Sequence, residues 1–199
     1  DWLGEGIDMD PDGQFTERSV SIYSPICDNM FLTMGRLLKR DELLDIARKN
    51  LDMTLYYIQP GGEVLTDASG RQDSARIGYV ANYYYAYRYF ALKDNNPVYA
   101  AVCRLIEDEM PERITRYISE LLEDPKLREE LPVASKIPDS YAKRFAHSGV
   151  FRIRRGDADL SVIEENPTFM SFMKGNAVLQ SIRLAAAFFG SRGMFVSEG

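Results

Sequence analysis

The hydrophobic period of this chain changes once, near residue 145. Upstream, apolar residues recur every three to four positions, the spacing that gathers them on one face of a helix. Downstream, "SGVFRIRRGD" alternates Phe151, Arg152, Ile153 and Arg154, and "ADLSVIEEN" alternates again after a Gly156-Asp157 turn. That is the period of a half-buried strand. Helices that come first and strands that follow are not the β-α-β alternation from which parallel sheets are built. The expected fold class is α+β, with helical hairpins over residues 1–145 and antiparallel strands over 146–199. A chain of 199 residues, 45% of them apolar, can bury a sizeable core as one domain or two small ones.

The helical part divides further. Ser24-Pro25 offers an N-cap and a first-turn proline, and Ile26, Met30, Phe31, Met34, Leu37 and Leu38 follow at helical spacing. A second helix is predicted from Asp41, with Leu43, Leu44, Ala47, Leu51, Leu55 and Ile58 as its stripe and Pro60-Gly61-Gly62 as its stop. Only Lys39-Arg40 lies between the two, so they form an antiparallel hairpin. Glu63 to Thr66 reads as a short strand. A third helix is predicted over Ser74 to Lys93 with Asp73 or Ser74 as its cap, a fourth from Val98 to Glu109, and a fifth from Glu112 to Leu122. "EDPKLREELPVASKIPDS" is a charged linker with one helical turn. "TFMSFMKG", "AVLQSIRLAAAFFG" and "GMFVSEG" are read as further strands.

Charge and composition exclude several functions. The net charge is −6 and no basic face is evident, so nucleic acid is not an expected partner. A local arginine cluster can still hold an anionic sugar. No apolar run reaches the roughly 18 residues of a membrane-spanning helix. The single histidine, His147, cannot build a multi-histidine metal centre, so no metal ligands are assigned and no cofactor is named. Cys27 and Cys103 fall in helical patterns and read as buried free thiols. The chain starts Asp1-Trp2 without a methionine and is read as a piece of a longer protein.

The stretch richest in chemical groups is "DPDGQFTERSVSIYSP", Asp10 to Pro25. Asp12-Gly13 is a turn signal. Glu17 can pair with Arg18 or Arg71, and Tyr23 lies at a helix mouth. Asp12, Glu17 and Asp67 are candidate paired carboxylates for glycoside hydrolysis, or else turn and cap residues. Arg71 and Gln72 precede the predicted third helix, and a helix N-terminus attracts anions, so a uronate carboxylate fits there. Tyr79, Tyr83 and Tyr87 share one helix face. Six tyrosines in this run exceed one packing stripe, so Tyr83 and Tyr87 are candidates for stacking on sugars, with Asn82 and Arg88 adding polar reach. Arg152, Arg154 and Arg155 are expected on a solvated strand face.

Three stretches resemble the heparinase II/III-like polysaccharide lyases. "DGQFTERSVSIY" looks like the family's Asp-Gly-x-x-x-Glu segment that leads to a tyrosine at a toroid helix. "PGGEVLTDASGRQD" looks like the loop that closes the next hairpin, and "HSGVFRIRRGDADLSVI" like the first strands of the family's β-sandwich. The resemblance implies a partial (α/α) toroid followed by the start of a sandwich. It also implies β-elimination on acidic polysaccharide, with Tyr23 as acid or base, Arg71 and Gln72 neutralising the uronate carboxylate, and Arg18 beside the substrate. It implies a periplasmic or secreted setting. The sequence departs from the family in its histidines, with Met173 and Lys174 where one is looked for. A glycoside hydrolase using Glu17 with Asp12 or Asp67, and a non-catalytic glycan-binding module, stay open beside it.

Overall fold

In a computed structural model the chain divides into two compact units, Asp1–Pro138 and Asp139–Gly199. Residues 2–74, 76–164, 166, 169–182, 185–187 and 194–196 are described. The fold is α+β, with its sheet antiparallel throughout the second unit.

The first unit is built on the hairpin of α1 (Tyr23–Leu38) and α2 (Asp41–Thr54). Lys39 ends α1 in the left-handed conformation, φ 56°, and its N–H donates to Gly35 O. Leu43, Leu44, Ala47 and Leu51 of α2 are buried. The face α1 buries differs from the expected stripe. It is Ser24, Pro25, Asp28, Leu32 and Gly35, while Ile26, Met30, Leu37 and Leu38 are exposed. Small residues let the two helices approach closely. A Cβ on Gly35 would lie 2.6 Å from Leu44 Cδ2, so any larger residue there forces the hairpin apart. The N-cap also moves. α1 begins at Tyr23, whose N–H is received by Ser19 Oγ at 3.1 Å, and Ser24 is buried inside the first turn.

β1 (Glu63–Val64) pairs antiparallel with β2 (Gly78–Tyr79). This shortens the expected third helix from its N-terminal side. A 3-10 turn, Val80–Tyr83, leads into α3 (Tyr84–Lys93). The cause is steric: Gly78 backbone lies against Ser21 and Thr66, where an added Cβ would collide with both. Asn96 caps α4 (Pro97–Glu109), its Oδ1 receiving the N–H of Val98 at 3.0 Å and of Tyr99 at 3.1 Å. A 3-10 stretch, Pro111–Tyr117, precedes α5 (Ile118–Glu123). Arg88 is a structural anchor, not a solvent-facing contact. It donates to Leu127 O, to Glu129 O at 2.9 Å and to Glu107 Oε1 at 2.9 Å.

Asp28 carries a consequence for stability. It is 0% exposed, and neither carboxyl oxygen has a hydrogen-bond partner among the described residues. Desolvation raises its pKa well above the ordinary carboxylate value. A raised folded-state pKa favours folding in the protonated form, fully below the unfolded value, and that contribution is lost as pH rises through the folded value. Asp28→Asn, which mimics the neutral acid, is therefore expected to stabilise the protein at pH 8 by roughly 1–3 kcal/mol and to do little at pH 4. Urea unfolding at the two pH values measures it; equal effects at both would exclude a titrating Asp28.

The second unit is a five-stranded meander: β3 (Ser140–Phe145), β4 (Val150–Arg155), β5 (Ala158–Ile163), β6 (Met170–Lys174) and β7 (Ala177–Ile182), in that spatial order. β8 (Ala185–Ala187) and β9 (Met194–Val196) form a separate antiparallel pair. The strand reading of the Ala/Leu-rich segment holds over these described residues. The sheet begins at Ser140, ahead of the expected boundary, because β3 pairs with β4 from Ser140↔Arg155 to Phe145↔Val150. Arg152 corrects the expectation of a solvated arginine face. It is 0% exposed and clamps Asp159 through both Nη atoms, at 2.6 and 2.7 Å, while Nη1 also meets Ser161 Oγ. Arg155 is exposed, as expected.

Candidate functional site

Two segments distant in sequence are joined in front of α1. Gly70 N–H donates to Arg18 O at 2.7 Å, and Val20 N–H to Ser69 Oγ at 3.0 Å. Asp73 completes the seam. Its Oδ2 receives Ser21 N–H at 2.9 Å, and Ser21 Oγ and Ser69 Oγ at 3.1 Å each. Asp73 is fully buried, so this carboxylate is a tether between segments and not the helix cap its position suggested. Arg18 adopts φ 48°, a left-handed turn that aims its carbonyl at Gly70. Its backbone serves the seam, while its side chain is exposed.

The seam delivers Arg71 and Gln72 to the start of α1. Arg71 Nε lies 3.1 Å from Glu17 Oε1, and the Arg71 guanidinium carbon is 5.9 Å from the centre of the Tyr23 ring. Gln72 Nε2 donates to Tyr23 OH at 3.3 Å. Glu17, Tyr23, Arg71 and Gln72 thus form one surface cluster. The anion-attracting helix N-terminus beside Arg71 belongs to α1, since α3 starts farther on. Cys27, one turn along α1 from Tyr23, is half-buried; burial, then the charges of Asp28 and Glu17, raise its thiol pKa.

Asp12 and Asp67 lie on turns. Asp12 lies in the Asp10–Gly13 turn, where Gly13 N–H donates to Asp10 O at 3.1 Å. That turn is pinned to α2 by Asn50 Nδ2, which donates to Gly13 O at 2.7 Å. Asp67 sits in the 3-10 turn Thr66–Ala68. The acidic member of the cluster, Glu17, faces the Arg71 guanidinium.

Tyr83 and Tyr87 require a correction. Both are 0% exposed and cannot stack on a sugar in this structure. Tyr83 OH donates to Val20 O, and Tyr87 OH to Leu51 O at 2.9 Å. They are core residues whose hydroxyls satisfy backbone carbonyls, and burial raises both phenol pKa values well above the ordinary one. Among the described residues, no group of three or more His, Cys, Asp or Glu is placed to hold a metal ion.

The Arg71–Glu17 pair is open to exchange. The two side chains are 48% and 46% exposed, and a single-contact surface pair of this kind contributes at most about 1 kcal/mol. An incoming carboxylate can take Glu17's place on the guanidinium at little cost, with the Gln72 amide and the Tyr23 hydroxyl alongside. No family model, curated protein or solved structure matches the chain.

Proposed function

We propose that this protein acts on acidic, uronate-containing glycans at the Glu17–Tyr23–Arg71–Gln72 cluster, by elimination. In this reading the helical hairpins belong to an (α/α) toroid and the sheet to a sandwich, as in the heparinase II/III-like lyases. The observation that supports it is the meeting of a phenol, an amide, a guanidinium and a carboxylate in one surface cluster. A substrate carboxylate on Arg71 and Gln72 withdraws charge from the adjacent carbon and acidifies its proton. Glu17, displaced from Arg71, takes that proton. The electron pair forms the C4–C5 double bond as the C4–O bond breaks, and Tyr23 protonates the departing oxygen.

The unsaturated uronate product absorbs in the far ultraviolet, and hydrolysis yields no such chromophore. With polygalacturonate, alginate and hyaluronan as substrates, Tyr23→Phe is expected to lower the rate by about 10²-fold or more. Arg71→Ala is expected to raise the substrate concentration needed. An unchanged rate in Tyr23→Phe, or no product and no binding with any of the three glycans, overturns the proposal.

A further inference from the structure

Beside the first turn of α1, where Ile22, Pro25 and Ile26 line it, lies a cavity of about 310 Å³. One wall is apolar: Ile22, Pro25 and Ile26. The opposite wall carries Asn82, Arg116 and Glu120. The size is at the low end of small-molecule sites, which run from roughly 300 to 1,000 Å³.

Its polar wall is held in place before anything binds. Arg116 Nη1 donates to Asn82 Oδ1 at 2.6 Å, and Asn82 Nδ2 donates to Ser21 O at 2.7 Å. The guanidinium also lies 5.6 Å from the centre of the Tyr117 ring. Tyr117 is buried and holds the backbone through its hydroxyl, which donates to Asn82 O at 2.5 Å. Arg116 Nε and Nη2 have no partner among the described residues, so the fixed guanidinium keeps donors in hand. Glu120 accepts from Ser119 Oγ at 2.7 Å through Oε2, which leaves Oε1 as an acceptor.

We infer that this cavity is a carbohydrate subsite for a neutral sugar ring. The charges decide the ligand class. Glu120 opposes an anion and Arg116 opposes a cation, while a sugar hydroxyl both donates and accepts and satisfies the two together. The apolar wall supplies the surface on which the C–H face of a pyranose rests. Ser21 links the cavity to the cluster: its carbonyl receives Asn82, and its amide and hydroxyl are held by the Asp73 that positions Arg71 and Gln72. Resting on the function proposed above, the inference is that an acidic ring at Arg71 has a neutral neighbour at Arg116.

Binding of three tetrasaccharides to the whole chain, at near-physiological salt, tests this: hyaluronan (uronate alternating with a neutral ring), oligogalacturonate (uronate only) and cellotetraose (neutral only). Arg116→Ala, and independently Ile26→Trp, which fills the cavity from an exposed position, are expected to weaken hyaluronan about tenfold. Both are expected to leave oligogalacturonate within twofold. Arg71→Ala is expected to weaken both acidic ligands and not cellotetraose. If Arg71→Ala weakens hyaluronan while Arg116→Ala and Ile26→Trp do not, the subsite is refuted and the acidic site stands. If those two variants weaken both acidic ligands equally, the neutral assignment is refuted. If Arg71→Ala changes no ligand, the acidic site itself is refuted.

Discussion

Asp73→Ala is expected to destabilise the helical unit by about 3–5 kcal/mol and to abolish the glycan binding proposed at Arg71 and Gln72. The estimate rests on one buried oxygen. Asp73 Oδ2 accepts from Ser21 N, Ser21 Oγ and Ser69 Oγ, all within 3.1 Å, in a fully buried setting. Hydrogen bonds to a charged acceptor contribute about 1.5–3 kcal/mol each, and they share one acceptor, so they do not add in full. Alanine also strands the donors of Ser21 and Ser69 away from water. Ser21→Ala removes one hydroxyl and keeps the amide bond, so about 1 kcal/mol is expected from it. The denaturant midpoint measures both. A loss below about 1 kcal/mol for Asp73→Ala, with ligand binding retained, would show that the tether is dispensable.

Asp159→Ala is expected to cost a similar 3–5 kcal/mol, in the other unit and for a different reason. Arg152 is wholly buried and cannot shed its proton, so removing Asp159 takes away the carboxylate that grips this cation at two points in the sheet. The pair itself is a poor source of net stability, because both charges left water to form it. The double change Arg152→Met with Asp159→Leu is therefore expected to recover most of the loss. Thermal or urea unfolding of the four proteins gives the coupling directly. A double variant as unstable as Asp159→Ala alone would mean that the damage is steric and not electrostatic.

Much of the fold could be read from residue spacing. The helical hairpin, the Asn96-Pro97 start of α4 and the β-meander all rest on local signals: short links, a capping amide before a proline, and strict alternation. What could not be read depends on partners far along the chain. Ser74–Tyr83 is helix-like in composition, yet Gly78 must lie flat against Ser21 and Thr66, and so Gly78–Tyr79 pairs as a strand and a 3-10 turn precedes α3. The apolar stripe of α1 is correctly periodic, but period alone does not say which face meets α2. Close approach at Gly35 and Leu44 selected the small-residue face.

The site shows the same division. Glu17 and Tyr23 were legible as candidates from the density of polar groups in Asp10–Pro25, and Arg71 and Gln72 from their place before a predicted helix. Their meeting depends on Asp73, whose position before a predicted helix made it look like a cap. Tyr83 and Tyr87 misled because the abundance of tyrosine says nothing about where hydroxyls point. Both point inward to carbonyls of other segments. Arg152 did carry a signal. Across the Gly156-Asp157 turn it faces Ser161 directly and Asp159 diagonally, so an arginine and an aspartate share one sheet face.

That buried clamp also fixes how the strands align. Side chains alternate between faces with period two, so sliding β5 past β4 by one residue would replace Ser161 opposite Arg152 with Leu160 or Val162 and carry Asp159 to the other face. Sliding it by two keeps the face but changes the residue opposite Arg152 from Ser161 to Asp159 or Ile163. Apolar contacts alone tolerate such slips, because one aliphatic side chain packs much like the next. A buried guanidinium gripped at two points by one carboxylate does not, and so the Arg152–Asp159 clamp favours the observed alignment of β4 with β5.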